Sequence, residues 1–93
     1  MILFSSAAMA DLERLRAFLE PKNPGAAARG MRVIWKALDL VEGLPELGRA
    51  TSEPGMRLIV VGFGSSGYII RYRVLPENGG IYVTRIWHGR EAR

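Results

Sequence analysis

The chain has 93 residues, which is enough for one domain (1–93) with a single modest hydrophobic core. It contains no cysteine and one histidine, so a disulfide scaffold and thiolate metal sites are excluded, and we predict no metal site. The formal net charge is +4, and 11 of the 13 basic residues are arginine, which suits bidentate contacts to carboxylate or phosphate. A nucleic acid and an acidic protein are both open as partners.

The start of the chain is a short apolar segment. No apolar run approaches the roughly 18 residues that a membrane-spanning helix needs. Residues 1–10 have the Ala-x-Ala spacing of a signal peptide but no basic leader, so we interpret Ile2–Phe4 as a strand. We predict a cytoplasmic protein with no membrane association.

Two amphipathic helices follow this strand. Ser5 or Ser6 can cap the first helix, and Asp11 lies early in it, where a carboxylate is favoured by the helix dipole. The second helix runs from its cap Asn23 to Gly43. Both carry apolar stripes at helical spacing: Ala8, Leu12, Leu15 and Leu19, then Ala27, Met31, Ile34, Leu38 and Val41. So short a connection predicts an antiparallel helical hairpin.

The second half of the chain has the composition of strands. Met56–Phe63, Tyr68–Leu75 and Ile81–Trp87 are short and rich in β-branched residues, and Asn78-Gly79 is typical of a two-residue hairpin turn. That turn predicts three cross-strand pairs: Val74 with Val83, Tyr72 with Arg85, and Ile70 with Trp87. The fold class is therefore α+β, with a short N-terminal strand and an antiparallel helical hairpin packed on a mainly antiparallel four-stranded sheet.

Side-chain alternation assigns the last two strands to two faces. We predict that Ile70, Tyr72, Val74 and their partners face the helices, with Tyr72 and Arg85 in cation–π contact. The opposite face then carries mostly cationic and aromatic residues: Arg71, Arg73, Tyr82, Thr84, Ile86 and His88. Residues 51–93 hold six arginines and three glutamates, a net charge of +3, so most of the excess charge lies in the sheet half. We expect both tryptophans, Trp35 and Trp87, in the packed interior.

Two local features match patterns found in cofactor-binding or catalytic sites, and each also has a purely structural interpretation. Residues 62–67 match G-x-G-x-x-G, but a strand follows instead of the helix that a dinucleotide site requires, so we interpret them as a hairpin loop. His88 is either a hydrogen-bonded residue at a strand end or a proton donor beside phosphate-holding arginines.

Four segments in this order resemble the RelE/ParE superfamily of type II toxin–antitoxin toxins. They are residues 8–15 (its first helix), Leu44-Pro45-Glu46-Leu47-Gly48-Arg49 (its turn after the helices), 68–74 (its central strand) and 83–90 (its closing strand). The resemblance implies a small toxin without a cofactor. It also implies an antitoxin partner from the same operon that folds over the toxin in a hetero-oligomer.

The superfamily divides by target. RelE-like members cleave mRNA in the ribosomal A site without a metal, whereas ParE-like members inhibit DNA gyrase. The nucleases carry Tyr-Arg-x-x-Tyr in the central strand, and here Ile69 occupies the arginine position. The ending Trp87-His88-Gly89-Arg90-Glu91 is more similar to the ParE branch.

The resemblance therefore implies a ParE-like toxin of the plasmid-stabilisation type that inhibits gyrase. A RelE-like ribosome-dependent mRNA endonuclease is the alternative, with His88 and Arg90 as its catalytic candidates, and an inactive toxin that only binds antitoxin is a third. The candidates for binding the target or the antitoxin are Arg57, Arg71, Arg73, Tyr82, Arg85, His88 and Arg90.

Overall fold

The structure is a computed structural model that describes residues 1–19, 23–63, 66–76 and 79–89. Its elements are β1 (Ile2–Phe4), α1 (Ser6–Leu19), α2 (Pro24–Gly43), β2 (Arg49–Ala50), β3 (Met56–Phe63), β4 (Ser66–Val74) and β5 (Ile81–His88). Among the described residues, no helix is long and apolar enough to cross a membrane.

The described strands form one mixed sheet in the order β1-β5-β4-β3-β2. β1 pairs with β5 in parallel, and the other neighbours are antiparallel. The predicted α+β fold and helical hairpin are confirmed, but the sheet has five strands where four were expected. The additional strand, Arg49–Ala50, is two residues long, and two residues are too few to show an alternating pattern.

Both helices begin at the predicted caps. The Ser5 hydroxyl accepts a hydrogen bond from the Ala8 N–H at 2.9 Å. The Asn23 side-chain oxygen accepts one from the Ala26 N–H at 3.1 Å. Each cap satisfies one of the amide groups that the first helical turn leaves without a partner.

The core lies between the helices and one face of the sheet. Its buried members come from both helices and from β4 and β5: Ala8, Leu15, Ile34, Ala37, Leu38, Val41, Tyr68, Ile70, Tyr72, Ile81, Val83 and Ile86. The predicted helical stripes are confirmed, except that the Leu19 side chain lies outside the described part of the chain. Trp35 was expected inside but is 45% exposed, with its ring edge-on to Phe4 at 5.6 Å.

The turn after α2 is fastened to the core by a buried phenol. Tyr72 Oη donates to the Pro45 carbonyl at 2.7 Å and accepts from the Gly48 N–H at 2.8 Å. A Cβ on Gly48 would lie 2.5 Å from Tyr72 Oη and 2.9 Å from the Leu58 carbonyl oxygen. Position 48 therefore requires glycine, and this requirement explains the glycine in the Leu-Pro-Glu-Leu-Gly-Arg segment.

The pairing of β4 with β5 differs from the prediction. Val74 pairs with Ile81 and Tyr72 with Val83, whereas Ile70 pairs with Ile86. Two features cause the difference. Residues 75–80 connect the strands, so the connection is longer than a two-residue turn; Asn78 lies outside the described residues. A β-bulge at Arg71/Tyr72 then lets β5 contribute one extra residue, Thr84.

The bulge exchanges the two faces of β5 beyond Val83. Ile86 is fully buried in the core, and the His88 ring lies edge-on to the buried Tyr68 at 5.8 Å, so both face the helices. Arg85 and Trp87 lie on the opposite face. The predicted faces are therefore correct for β4 and for β5 up to Thr84, and wrong for these four residues, because one inserted residue inverts the alternation.

Candidate functional site

A groove of about 400 Å³ crosses the sheet face that points away from the helices, here called the open face. Three strands (β3, β4 and β5) and the connection between β2 and β3 contribute to it. Its lining residues are Thr51, Ser52, Glu53, Met56, Leu58, Arg71 and Trp87. The sequence identified only Arg71 among them. The 51–53 segment carries no motif, and Trp87 was assigned to the wrong face.

Arg71 is the cation among the residues that line this groove. Its Nε donates to Thr84 Oγ1 at 2.9 Å, and that hydroxyl donates to the Arg71 carbonyl oxygen at 3.1 Å. Its Cζ lies 5.4 Å from the centre of the Trp87 ring. Within the described residues, no carboxylate lies within ion-pair distance of Arg71. Thr84, the extra residue of the bulge, therefore holds the Arg71 guanidinium beside the Trp87 ring in an open groove.

Arg85 faces Arg71 directly across the two strands, and like charges in that arrangement repel. Its Nε and Nη2 donate to the two Asp11 carboxylate oxygens at 2.8 and 3.1 Å. Its Cζ lies 5.2 Å from the Trp87 ring. Trp87 thus contacts both cations, and Asp11 neutralises one of them. The predicted contact of Arg85 with Tyr72 is wrong, because the two residues do not pair and Tyr72 is buried.

Asp11 is the buried acid of the described residues, with 2% of its surface exposed. Besides Arg85, it accepts from Arg14 Nη1 at 2.5 Å and from the Ile86 N–H at 2.8 Å. Burial raises its pKa, but the hydrogen bonds from Arg85, Arg14 and Ile86 outweigh burial and hold the pKa below its usual value. The expected role at the helix dipole is wrong, since Asp11 lies beyond the first turn of α1 and binds β5.

Arg73 fastens the connection between β2 and β3 to the open face. Its Nη2 lies 2.6 Å from Glu53 Oε2, and its Nη1 donates to the Pro54 carbonyl at 3.0 Å. Gly55 completes this turn at a φ of 78°, which favours glycine. Arg73 therefore supports one wall of the groove, and Glu53 neutralises its charge.

The remaining predicted residues lie elsewhere. Arg57 is on the helix side, where its Nη1 donates to the Gly48 carbonyl at 2.6 Å. Tyr82 is on the open face between Leu3 and Arg73, outside the groove lining. His88 is on the helix side, and Arg90 lies outside the described residues. The structure brings Arg71, Arg73 and Arg85 together and separates them from Arg57 and His88.

The family follows from a match along nearly the whole chain. A family model described as the ParE toxin of the type II toxin–antitoxin system, parDE, matches residues 2–93. The chain belongs to the ParE toxin family of the RelE/ParE superfamily. It is therefore a toxin of the type II toxin–antitoxin class, as the four segments implied.

Curated relatives of this ParE-family toxin carry RelE names. Toxin RelE1 of Caulobacter vibrioides is 42% identical over 92 residues, covering 99% of this chain and 96% of the relative. Toxin RelE3 of the same organism is 36% identical over 83 residues, covering 89% of this chain and 87% of the relative.

Solved structures share the fold. The chromosomal ParDE system of P. aeruginosa superposes with a TM-score of 0.74 at 19% identity, covering 94% of this chain and 92% of that one. The intact E. coli RelBE toxin–antitoxin complex gives 0.66 at 20% identity, covering 100% and 98%. At these identities the likeness establishes the architecture alone, and ParE and RelE names occur on the same fold.

Proposed function

We propose that this toxin inhibits DNA gyrase as a binding protein and is neutralised by a cognate antitoxin in a cytoplasmic hetero-oligomer. The observation that carries the proposal is the separation of the only histidine from the arginines. His88 lies on the helix side of the sheet, whereas Arg71, Arg73 and Arg85 lie on the open face. A histidine so placed cannot transfer protons at a phosphate held by these arginines, because general acid–base catalysis requires hydrogen-bond reach.

Two further observations support a binding role. The family model that matches residues 2–93 describes a ParE toxin. The open-face arginines at positions 73 and 85 are engaged by Glu53 and Asp11, so they are not preorganised to stabilise a developing phosphate charge. The structural neighbours support the antitoxin, because they include a ParDE system and a RelBE toxin–antitoxin complex.

The test is a supercoiling and cleavage-complex assay with purified gyrase. We expect supercoiling to stop near stoichiometric toxin and to recover when antitoxin is added. A type I topoisomerase, which should be unaffected, controls for nonspecific binding to DNA. Gyrase that keeps full activity at a stoichiometric excess of toxin would exclude the proposal.

A second candidate is the ribosome-dependent mRNA endonuclease. Arg71 against Trp87 in an open groove offers a cation and an aromatic face, the two features by which proteins hold single-stranded nucleic acid. In that case translating ribosomes incubated with the toxin should yield A-site cuts, and Arg71→Ala should reduce them. If neither assay shows activity and the antitoxin still binds, the chain is an inactive toxin.

A further inference from the structure

The cations of the open face differ in what already neutralises them. Arg85 binds Asp11, and Arg73 binds Glu53. Arg71 is held by a neutral hydroxyl and an aromatic ring, neither of which cancels its charge. We propose that the groove beside Arg71 receives one acidic side chain of the antitoxin, an inference that rests on the proposed function. The carboxylate binds the Arg71 guanidinium, and the chain next to it packs on Met56, Leu58 and Trp87.

The geometry of Arg71 suits a carboxylate. Thr84 takes the Nε hydrogen, and the Trp87 ring lies against the guanidinium, so the plane of the group is fixed. The two terminal nitrogens are left as donors for which the described residues supply no acceptor. Two parallel N–H groups on a fixed plane match the two oxygens of a carboxylate, and a bidentate pair of this kind is among the strongest hydrogen-bonded contacts.

The surroundings of Arg71 favour an acidic peptide over a nucleic acid. A single strand of nucleic acid follows a row of cations, because each phosphate along it carries a charge. Here the neighbouring arginines Arg73 and Arg85 are neutralised from within the chain, so Arg71 is the cation that the described residues leave available in the groove. Met56 and Leu58 add apolar surface beside it. One charge within an apolar groove fits a single carboxylate on an otherwise apolar segment.

Substitution of Glu53 should change the affinity for the antitoxin in the opposite direction to substitution of Arg71. Glu53 lines the same groove and is 58% exposed, so its carboxylate repels an incoming one. Neutralising Glu53 should therefore strengthen binding, because it removes a repelling carboxylate and also leaves the charge of Arg73 uncancelled. A damaged fold cannot raise the affinity, so the result for Glu53→Gln can be read even if an arginine variant is unstable.

The experiment uses the fluorescence of Trp87. The chain has two tryptophans, so Trp35→Phe leaves Trp87 as the reporter in the groove. Titration with the purified antitoxin, and separately with a capped oligoglutamate peptide, should change Trp87 emission, whereas a matched oligoglutamine peptide should not. In this background we expect Arg71→Gln to weaken antitoxin binding by at least about tenfold, as for the loss of a charge-assisted contact, and Glu53→Gln to strengthen it about threefold.

The control is Arg32→Gln, which removes the same charge from an exposed position on α2 and should change the affinity by no more than about twofold. Equal effects of Arg71→Gln and Arg32→Gln, or weaker binding in Glu53→Gln, would overturn the inference. So would an RNA oligonucleotide that displaces the antitoxin and depends on Arg71. Gyrase inhibition by the same variants is measured separately. The contact at Arg71 can therefore be disproved while gyrase inhibition is confirmed, or confirmed while gyrase inhibition is disproved.

Discussion

At the scale of single residues, Asp11 connects the helices to the groove. Its carboxylate accepts hydrogen bonds from Arg85, Arg14 and the Ile86 N–H. It thereby positions the Arg85 guanidinium, which lies against the Trp87 ring. We expect Asp11→Asn to lower the free energy of unfolding by about 2–3 kcal/mol, below the range for a fully buried pair because Arg85 and Arg14 are 36% and 41% exposed. Chemical denaturation measures it, with the exposed Asp39→Asn as the matched control at about 0.5 kcal/mol or less.

The Asp11 carboxylate also makes the stability of the fold depend on pH. Because the pKa of Asp11 is lower in the folded state than its usual 3.8, the ionised form stabilises the fold above that value. The contribution is lost as the pH falls from 3.8 through the folded pKa. The difference in stability between the wild type and Asp11→Asn should therefore be constant near neutral pH and shrink in acid. A difference that grows in acid would contradict this assignment of the stabilising contact.

At the scale of elements, the start of α1 takes the place of a strand beside β5. β1 pairs with β5 only as far as Val83. Beyond that point, the Ser5 hydroxyl donates to the Thr84 carbonyl at 2.8 Å, and Asp11 accepts from the Ile86 N–H. Side chains of one helix thus satisfy backbone groups that an edge strand would expose, and they do so at the bulge that holds Arg71.

Ser5 therefore has two roles, since it also caps α1 through the Ala8 N–H. We expect Ser5→Ala to destabilise the protein by about 1–2 kcal/mol, because it removes the cap and leaves the Thr84 carbonyl without this donor. Ser6→Ala, one residue along and exposed, should cost less than about 0.5 kcal/mol in the same thermal or urea melts. Equal losses in both variants would contradict both roles of Ser5, the cap of α1 and the contact to Thr84.

The bulge also marks where the sequence stops being informative. Helix caps and apolar stripes are local patterns, so the starts of α1 and α2, the end of α2 and most core residues followed from the sequence. The face of Trp87 and His88 depends on one extra residue in β5, which is not encoded by alternation and which inverts every later position. The partner of Asp11 is 74 residues away, so no spacing rule could pair it with Arg85.

At the scale of the whole molecule, the cations fall into two kinds, those paired or held at the sheet and those exposed on α2. The net charge of +3 on residues 51–93 already includes Glu53, which pairs with Arg73, and Asp11 of α1 neutralises one further sheet arginine, Arg85. The described residues give no carboxylate partner to the exposed cations Arg29, Arg32 and Lys36 on α2. These exposed cations of α2 therefore add to the long-range positive field of the toxin, while Arg71 is the cation that the described residues leave without a carboxylate in the groove.

This division predicts separate kinetic effects on antitoxin binding. Exposed charges act on the encounter rate, whereas a charge bound in a groove acts on dissociation. We expect Arg32→Gln combined with Lys36→Gln to lower the association rate constant about two- to threefold and to leave dissociation unchanged, an effect that salt screening should erase near 0.5 M. Arg71→Gln should instead raise the dissociation rate constant about tenfold at any salt concentration. Stopped-flow mixing at low and high ionic strength measures both constants. If the α2 pair changes dissociation as much as Arg71 does, the α2 cations are part of the bound contact and do not only steer the antitoxin.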